Sequence, residues 1–315
     1  MATAPSVPQR YLGTRSWNRD TMEADVLIIG SGPAGIQAAI HAARKKVSVV
    51  MTGRVSNSAL NGTHIENYFG VGGVADGTEL LRTGMEQARS FGCAVLDENV
   101  IAAERDGPLF KITTENDTVI TSKTVIIATG MTRNKLNVKG EKELFGKGVS
   151  YCASCDCNFY KGRKVVITGG DTEAAVSAEL MTRYASEVHW VFPEFTASQN
   201  VIGKAEAAGV DIVKDSIVSI EGDGKVEKVI LSSGREILTD GVFIELGAKS
   251  AADLAMDMDV MPEMDDTIKV GPDCSTEVKG VFACGDITGA PKQLAKAIGQ
   301  GCIAGAAAAD LVRGQ

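Results

Sequence analysis

Residues 24–53, ADVLIIGSGPAGIQAAIHAARKKVSVVMTG, constrain the fold more than any other stretch. An apolar run from Val26 to Ile29 enters Gly30-Ser31-Gly32-Pro33-Ala34-Gly35, an alanine-rich segment follows, and a second apolar run covers Val47 to Met51. Glycines at this spacing carry weight only between a strand and a helix, and here the flanks predict both. Gly30 permits the tight turn, Gly32 lets a pyrophosphate approach backbone, and Gly35 allows close packing of helix on strand. The helix start adds free N–H groups and a partial positive charge. The unit predicts a doubly wound α/β sheet with a dinucleotide at the carboxyl ends of its strands. The acid that usually ends the second strand is missing, since Met51-Thr52-Gly53 stand there. Thr52 is the candidate for the ribose contact.

Two further runs point to the same crevice. TVIIATG (124–130) ends in a turn with Thr129 and Gly130, and VFACGDI (281–287) brings Gly285 and Asp286 to a strand end. Asp286 is placed to accept from sugar hydroxyls or to cap a helix.

The chain has 315 residues, 44% apolar and 23% charged, which suits two globular domains. A net charge of −8 argues against nucleic acid or an anionic membrane as partner. The opening MATAPSVPQRYLGTRSWNRD has no apolar core of signal-peptide length, and no run reaches the length of a membrane span. Residues 1–20 therefore read as a polar, disordered extension, the alternative being that Tyr11 or Trp17 packs against a partner chain, and the expected location is cytoplasmic.

Seven cysteines, at 93, 152, 155, 157, 274, 284 and 302, do not suit a secreted disulfide framework. Cys93, Cys274, Cys284 and Cys302 sit among apolar or small neighbours and read as buried inert thiols. Only YCASCDC (151–157) is clustered. Zinc would need a fourth ligand, and His41, His64 and His189 are not paired at ligand spacing, so no metal is predicted. Cys152 and Cys155 instead read as a redox dithiol, with Asp156 as proton donor and acceptor once burial raises its affinity for the proton. Cys157 is either a third partner or a small buried residue.

Taken in order, GSGPAG, IENYFG (65–70), ATG, CASCD, GGDTEA, ACGD and KQLAKAIGQG (292–301) resemble the thioredoxin reductase family of flavoproteins. The resemblance implies a homodimer of two-domain chains, each with two Rossmann-like, three-layer domains. The CxxC-bearing domain is inserted into a split FAD-binding domain. The implied boundaries are 21–131 and 247–315 for the FAD domain and 132–246 for the insertion. The resemblance also implies that Gly30, Ser31, Gly32, Pro33, Ala34 and Gly35 hold the FAD pyrophosphate. Asn67 contacts the flavin nucleotide, Asp286 binds the ribityl chain, and Lys292-Gln293-Leu294 present backbone to the ring. Cys155 is the implied flavin-facing thiol, Cys152 the one that attacks a partner disulfide, and Asp156 the acid–base. A thioredoxin-like protein is the implied partner.

The departures fall on the pyridine nucleotide. In VVITGGDTEAAVSAELM (165–181), Gly169, Asp171 and Ala174 stand where the family has G-x-G-x-x-A, so a carboxylate replaces the middle glycine. At a few ångströms from a pyrophosphate it costs on the order of several kcal/mol. The family's H-R-R-x-x-x-R, whose arginines hold the NADPH 2′-phosphate, is absent: after EVHWV comes Phe192-Pro193-Glu194-Phe195-Thr196-Ala197-Ser198. GAKSAADL (247–254) replaces the usual Gly-x-x-Pro-Asn turn near the domain hinge. Several readings compete. Glu194 suits the ribose of NADH, although Asp171 opposes any pyrophosphate. The reading the residues favour is the resemblance to diflavin-linked disulfide oxidoreductases, which implies a second FAD in the vacated pocket, held by Gly170, Asp171, Trp190 and Phe192, with electrons running from dithiols to flavin; plain core packing explains the same aromatics. A ferredoxin-fed reductase also needs no pyridine nucleotide, and a conventional NAD(P)H-dependent reductase is the family default. From another class comes a non-catalytic flavin-binding redox sensor, against which the retained cysteines and acid argue.

Overall fold

The apolar runs become strands buried on both faces, as parallel sheets covered by helices require. The structure, a computed structural model, describes residues 21–131, 135–247 and 249–314. Tyr11, Trp17 and the rest of the N-terminal extension lie outside these, as does Ala248. The described chain forms two compact units, one from 21–131 with 250–314 and the other from 135–247 with Lys249. Each has an α/β, Rossmann-like architecture.

The first unit opens with β1 (Thr21–Ile29), α1 (Pro33–Arg44), β2 (Val49–Thr52), a small hairpin β3 (His64–Ile65) and β4 (Ala75–Asp76), α2 (Gly77–Ser90) and β5 (Ala94–Leu96). Strands β6 (Val100–Asp106), β7 (Leu109–Thr114) and β8 (Val119–Ile127) follow. The sheet order is β5-β2-β1-β8-β7-β6. Strand β1 starts earlier than its continuous apolar run because Thr21–Ala24 pair with Val119–Ser122. There burial alternates, exposed then buried, as expected where one face of a sheet is covered.

The second unit contains β9 (Val149–Ser150), α3 (Ala153–Asp156), β10 (Lys164–Thr168), α4 (Thr172–Met181), β11 (Glu187–Val191), α5 (Gln199–Ala207) and β12 (Asp211–Val213). It continues with an antiparallel β13 (Ile217–Glu221), β14 (Lys228–Leu231) and β15 (Glu236–Leu238), then β16 (Gly241–Ile244). Its main sheet, β12-β11-β10-β16-β9, is wholly parallel. The first unit resumes with α6 (Ala251–Met256), β17 (Val281–Ala283) and α7 (Leu294–Arg313). Strand β17 runs parallel to the second half of β8, on the edge whose first half pairs with β7.

The closest helix packing joins α1 to α7. Both are rich in alanine and glycine, and the buried residues of α7 recur as Ala297, Gly301, Ala304, Gly305 and Ala308, one face at helical spacing. A methyl group on Gly301 or Gly305 would strike the carbonyl oxygens of Ala34 and Ala38. The helices touch backbone to backbone, which fixes the entry of α1 over the first glycine turn. Gly305→Ala should therefore destabilise the protein by about 2 kcal/mol through overpacking, read as a lower urea midpoint at unchanged slope.

Candidate functional site

Four turns meet at the carboxyl end of the first sheet. Gly30 has φ +120°, and a side chain there would collide with the backbone of Ala128 and Thr129. One on Gly35 would strike the Gly30 carbonyl, and one on Gly53 would press on Gly30 and Ser31. At Gly285, φ +85°, it would meet the Ala34 methyl. These contacts place the turns after β1, β2, β8 and β17 together, with Thr129 and Gly130 half-buried beside them.

Gly32 differs, since a Cβ there would meet only the Ser58 hydroxyl, at 3.4 Å. It is also the N-cap of α1 and supplies no capping side chain, while Pro33 at the first helical position has no N–H to satisfy. The turn is thus open on one side and faces it with helix N–H groups, the arrangement that receives a pyrophosphate. Ser31 acts differently from expectation: its buried hydroxyl donates to the Gly53 carbonyl at 2.6 Å and so braces the turn. Thr52 is a correction. It is fully buried and its Oγ1 donates to the Glu98 carbonyl at 2.6 Å, because β2 lies between β1 and β5 and its last residue is still inside the sheet.

Asn67 and Gln293, far apart in sequence, come together through the Asn67 amide, which donates to Gln293 Oε1 at 3.1 Å. Gln293 is the N-cap of α7 but makes no side-chain cap, so Lys292-Gln293-Leu294 lead into a twenty-residue helix with its N–H groups forward. Asp286 is half-buried and does not cap the 3-10 turn that it starts. Sequence reasoning passed over Lys296 and Gln300. The Lys296 ammonium donates to the carbonyls of Gly285 at 2.8 Å and Gly289 at 2.7 Å, and Gln300 Oε1 accepts the Gly285 N–H at 3.0 Å. Together they hold the Asp286 turn against α7, and burial pulls the Lys296 pKa below its ordinary value. Two long polar side chains four residues apart on a small-residue helix were the available signal.

The matching turn of the second unit is built the other way. Asp171 is the N-cap of α4, and its Oδ1 accepts the Thr172 N–H at 2.8 Å. Gly170 is buried: a Cβ on it would collide with the Phe192 ring and the Glu194 carbonyl. Its own carbonyl accepts the N–H groups of Thr196 at 2.7 Å and Ala197 at 3.0 Å. The segment after β11 therefore lies on the turn. Trp190, expected to offer a stacking face, is fully buried; its indole N–H donates to the Gly169 carbonyl at 2.7 Å and its ring meets the edge of Phe195. That expectation is corrected, since Trp190 sits on the inward face of β11 and its ring is core.

Cys152 and Cys155 form a disulfide with Cα atoms 5.4 Å apart. Cys152 caps the single turn of α3, and the Cys155 N–H points at Cys152 Sγ from 3.2 Å. Cys155 is exposed, while Cys152 and Asp156 are half-buried. Cys157 lies in the core with its Sγ 3.5 Å from the Ser154 carbonyl. Of the other thiols, Cys93, Cys274 and Cys284 are buried, and burial raises the pKa of all three, to about 12 for Cys93 and about 11 for Cys274. Cys302 departs from the expected burial, being half-exposed on α7 at 3.6 Å from His41 Nδ1. Glu245 was also missed. Its carboxylate accepts the Ala153 N–H at 2.8 Å, and an acid ending the apolar run VFIEL was the signal.

No helix among the described residues is long and apolar enough to cross a membrane. The family model for pyridine nucleotide-disulphide oxidoreductases matches residues 24–301. The chain is 36% identical over 304 residues to a thioredoxin reductase of Aquifex aeolicus, covering 92% of this chain and 94% of that protein. Among solved structures it is similar to the atypical thioredoxin reductase TRi of Desulfovibrio vulgaris Hildenborough, with TM-score 0.78 and 31% identity over 92% of this chain and 98% of that one. It is also similar to a ferredoxin-flavin thioredoxin reductase of Clostridium acetobutylicum, with TM-score 0.67 and 35% identity over 94% of this chain and all of that one. A glycine turn open to a pyrophosphate, a CxxC disulfide and these likenesses lead to one conclusion: the chain belongs to the thioredoxin reductase family of FAD-binding, flavin-dependent disulfide oxidoreductases.

Proposed function

We propose that this enzyme exchanges electrons between FAD and the Cys152–Cys155 pair without a pyridine nucleotide, and passes them to or from a thioredoxin-like protein. The contrast between its two glycine turns carries this reading. A dinucleotide needs a glycine that can approach it and helix N–H groups left for its phosphates. The Gly32 turn offers both. In the other unit Asp171 takes a helix N–H and brings a negative charge, while Phe192 and Glu194 cover Gly170. NADPH and NADH share the pyrophosphate and meet the same obstruction, so Glu194 does not rescue an NADH site. A second flavin brings a pyrophosphate too, and with Trp190 internal the reading is one FAD per chain. With no nicotinamide donor, electrons are exchanged with a protein. The likeness to a ferredoxin-flavin reductase supports a ferredoxin-type donor for the reducing direction.

The open turn fits FAD: Gly30, Gly32 and Gly35 would hold its pyrophosphate, braced by Ser31, with Thr129, Gly130 and Asp286 beside it and Asn67 and Lys292–Leu294 at the ring. When bound, FAD supplies the two-electron redox chemistry that thiols need to meet a donor or acceptor. The chain's own residues do the sulfur chemistry. Cys152 Sγ attacks the disulfide of the partner, or is released when a partner dithiol opens the Cys152–Cys155 bond. Cys155 Sγ, exposed at the end of α3, is the flavin-facing sulfur. Asp156, following it directly, gives or takes the proton at Sγ as each thiol leaves or enters.

Three outcomes test this. Added anaerobically, NADPH and then NADH should leave the flavin absorption unbleached while dithionite and dithiols bleach it, with one flavin per chain on extraction; rapid bleaching by either nucleotide would refute the reading. Cys155→Ser should abolish dithiol turnover and Asp156→Asn should lower it by about 100-fold or more, measured with a thioredoxin substrate. Normal turnover in the serine variant would refute the role given to Cys155, and absence of turnover in the wild type as well would favour the redox sensor. Asp171→Ala should cost about 1 kcal/mol of stability as a lost helix cap, seen in urea unfolding, without creating NADPH oxidation.

A further inference from the structure

The first turn of a helix is a poor place for a cation, because the helix dipole already puts partial positive charge there. Lys296 nevertheless stands third in α7, whose first turn has no acidic residue. Its half-buried side chain is spent on the turn after β17. The ammonium has three N–H groups and meets three acceptors. These are the carbonyls of Gly285 at 2.8 Å and Gly289 at 2.7 Å, and Thr288 Oγ1 at 2.9 Å. One helical turn further on, Gln300 Oε1 accepts the Gly285 N–H at 3.0 Å and the Thr288 hydroxyl at 2.8 Å.

These bonds hold the two ends of the turn and leave its Asp286 side chain alone. Gly285, φ +85°, and Gly289, φ +89°, bound it, and each gives its carbonyl to the ammonium. Asp286 lies between them, half-buried, and among the described residues no donor meets its carboxylate. Lys296 and Asp286 do sense each other: burial pulls the lysine pKa below its ordinary value, and the Asp286 charge opposes that pull. A carboxylate with vacant acceptor sites suits hydroxyl groups. A cation held nearby favours its ionised, accepting form.

We infer that Lys296 is a positioning residue of the cofactor site: it clamps both ends of the Gly285–Gly289 turn to α7 and so presents the Asp286 carboxylate to the ribityl hydroxyls of FAD. Lys296 then acts through Asp286. A side chain that works through another has little separate effect once the other is gone, whereas two independent contributions multiply. The inference rests on the FAD that the family binds and on the place given to Asp286, and is independent of the electron donor.

The test compares wild type, Lys296→Met, Asp286→Ala and the double variant as purified full chains. Methionine keeps an unbranched stem but offers neither charge nor N–H groups. Release of FAD on dilution, and its rebinding when FAD is added back, are followed by flavin fluorescence and give a dissociation constant. Lys296→Met should weaken FAD binding by about tenfold or more through the lost charge-assisted hydrogen bonds, and Asp286→Ala by at least as much. The double variant should bind within about twofold of Asp286→Ala. Lys296→Gln, which keeps N–H donors without the charge, should recover part of the loss. A methionine variant as tight as wild type would overturn the inference. So would a double variant whose loss is the product of the two single losses, the mark of a lysine that only supports the fold. Should Lys296→Met fail to fold, Lys296→Gln and its double with Asp286→Ala decide by the same comparison. No electron donor or pyridine nucleotide enters the assay, so its failure is separate from any failure of the electron-donor reading.

Discussion

The first N–H groups of a helix have no partner within the helix, and much of this protein follows from what is given to them. Three helix starts receive three answers. At α1 the N-cap is a glycine with nothing to offer, so the amides are left for an anion. At α4 Asp171 supplies the acceptor from the chain itself. At α3 the acceptor comes from a distant strand end, as the Glu245 carboxylate. One constraint thus yields a cofactor seat, a closed turn and a braced redox pair.

The same contrast explains how two units of like architecture take different parts. Both place glycine turns at the carboxyl ends of parallel strands, where doubly wound sheets bind ligands. What separates them is packing above the turn. Beside Gly32, among the described residues, a Cβ would meet only the Ser58 hydroxyl, whereas the matching position holds the buried Asp171, whose carboxylate caps α4, with Gly170 next to it beneath Phe192 and the Glu194 backbone. Trp190 then fills the core below, its N–H satisfied by Gly169. A pocket lined by aromatic residues in sequence becomes a packed wall in space.

Much of this was legible in the order of residues. The β1–α1–β2 unit, the CxxC with its following acid, and the charge conflict at Asp171 each rest on contacts within a few residues, where chain geometry leaves little freedom. The convergence of Asn67 with Gln293 was legible only as two separate motifs, because the bond between them spans 226 residues. Thr52 was misread since a strand end in sequence does not show how far the neighbouring strand extends. Lys296 and Glu245 were missed for a related reason: a polar residue in an apolar run has no meaning until its distant partner is known.

The sequence by itself determined the α/β class, the glycine turns and the redox pair, because local sterics of glycine hold in any fold and sulfurs at i and i+3 meet wherever the chain makes a helical turn. Tertiary structure alone decided what lies over each turn. It also decided which aromatic rings are core and where the buried carboxylate points. Those are matters of what lies across a gap of a few ångströms, and neighbours across a gap are set by packing and not by chain order.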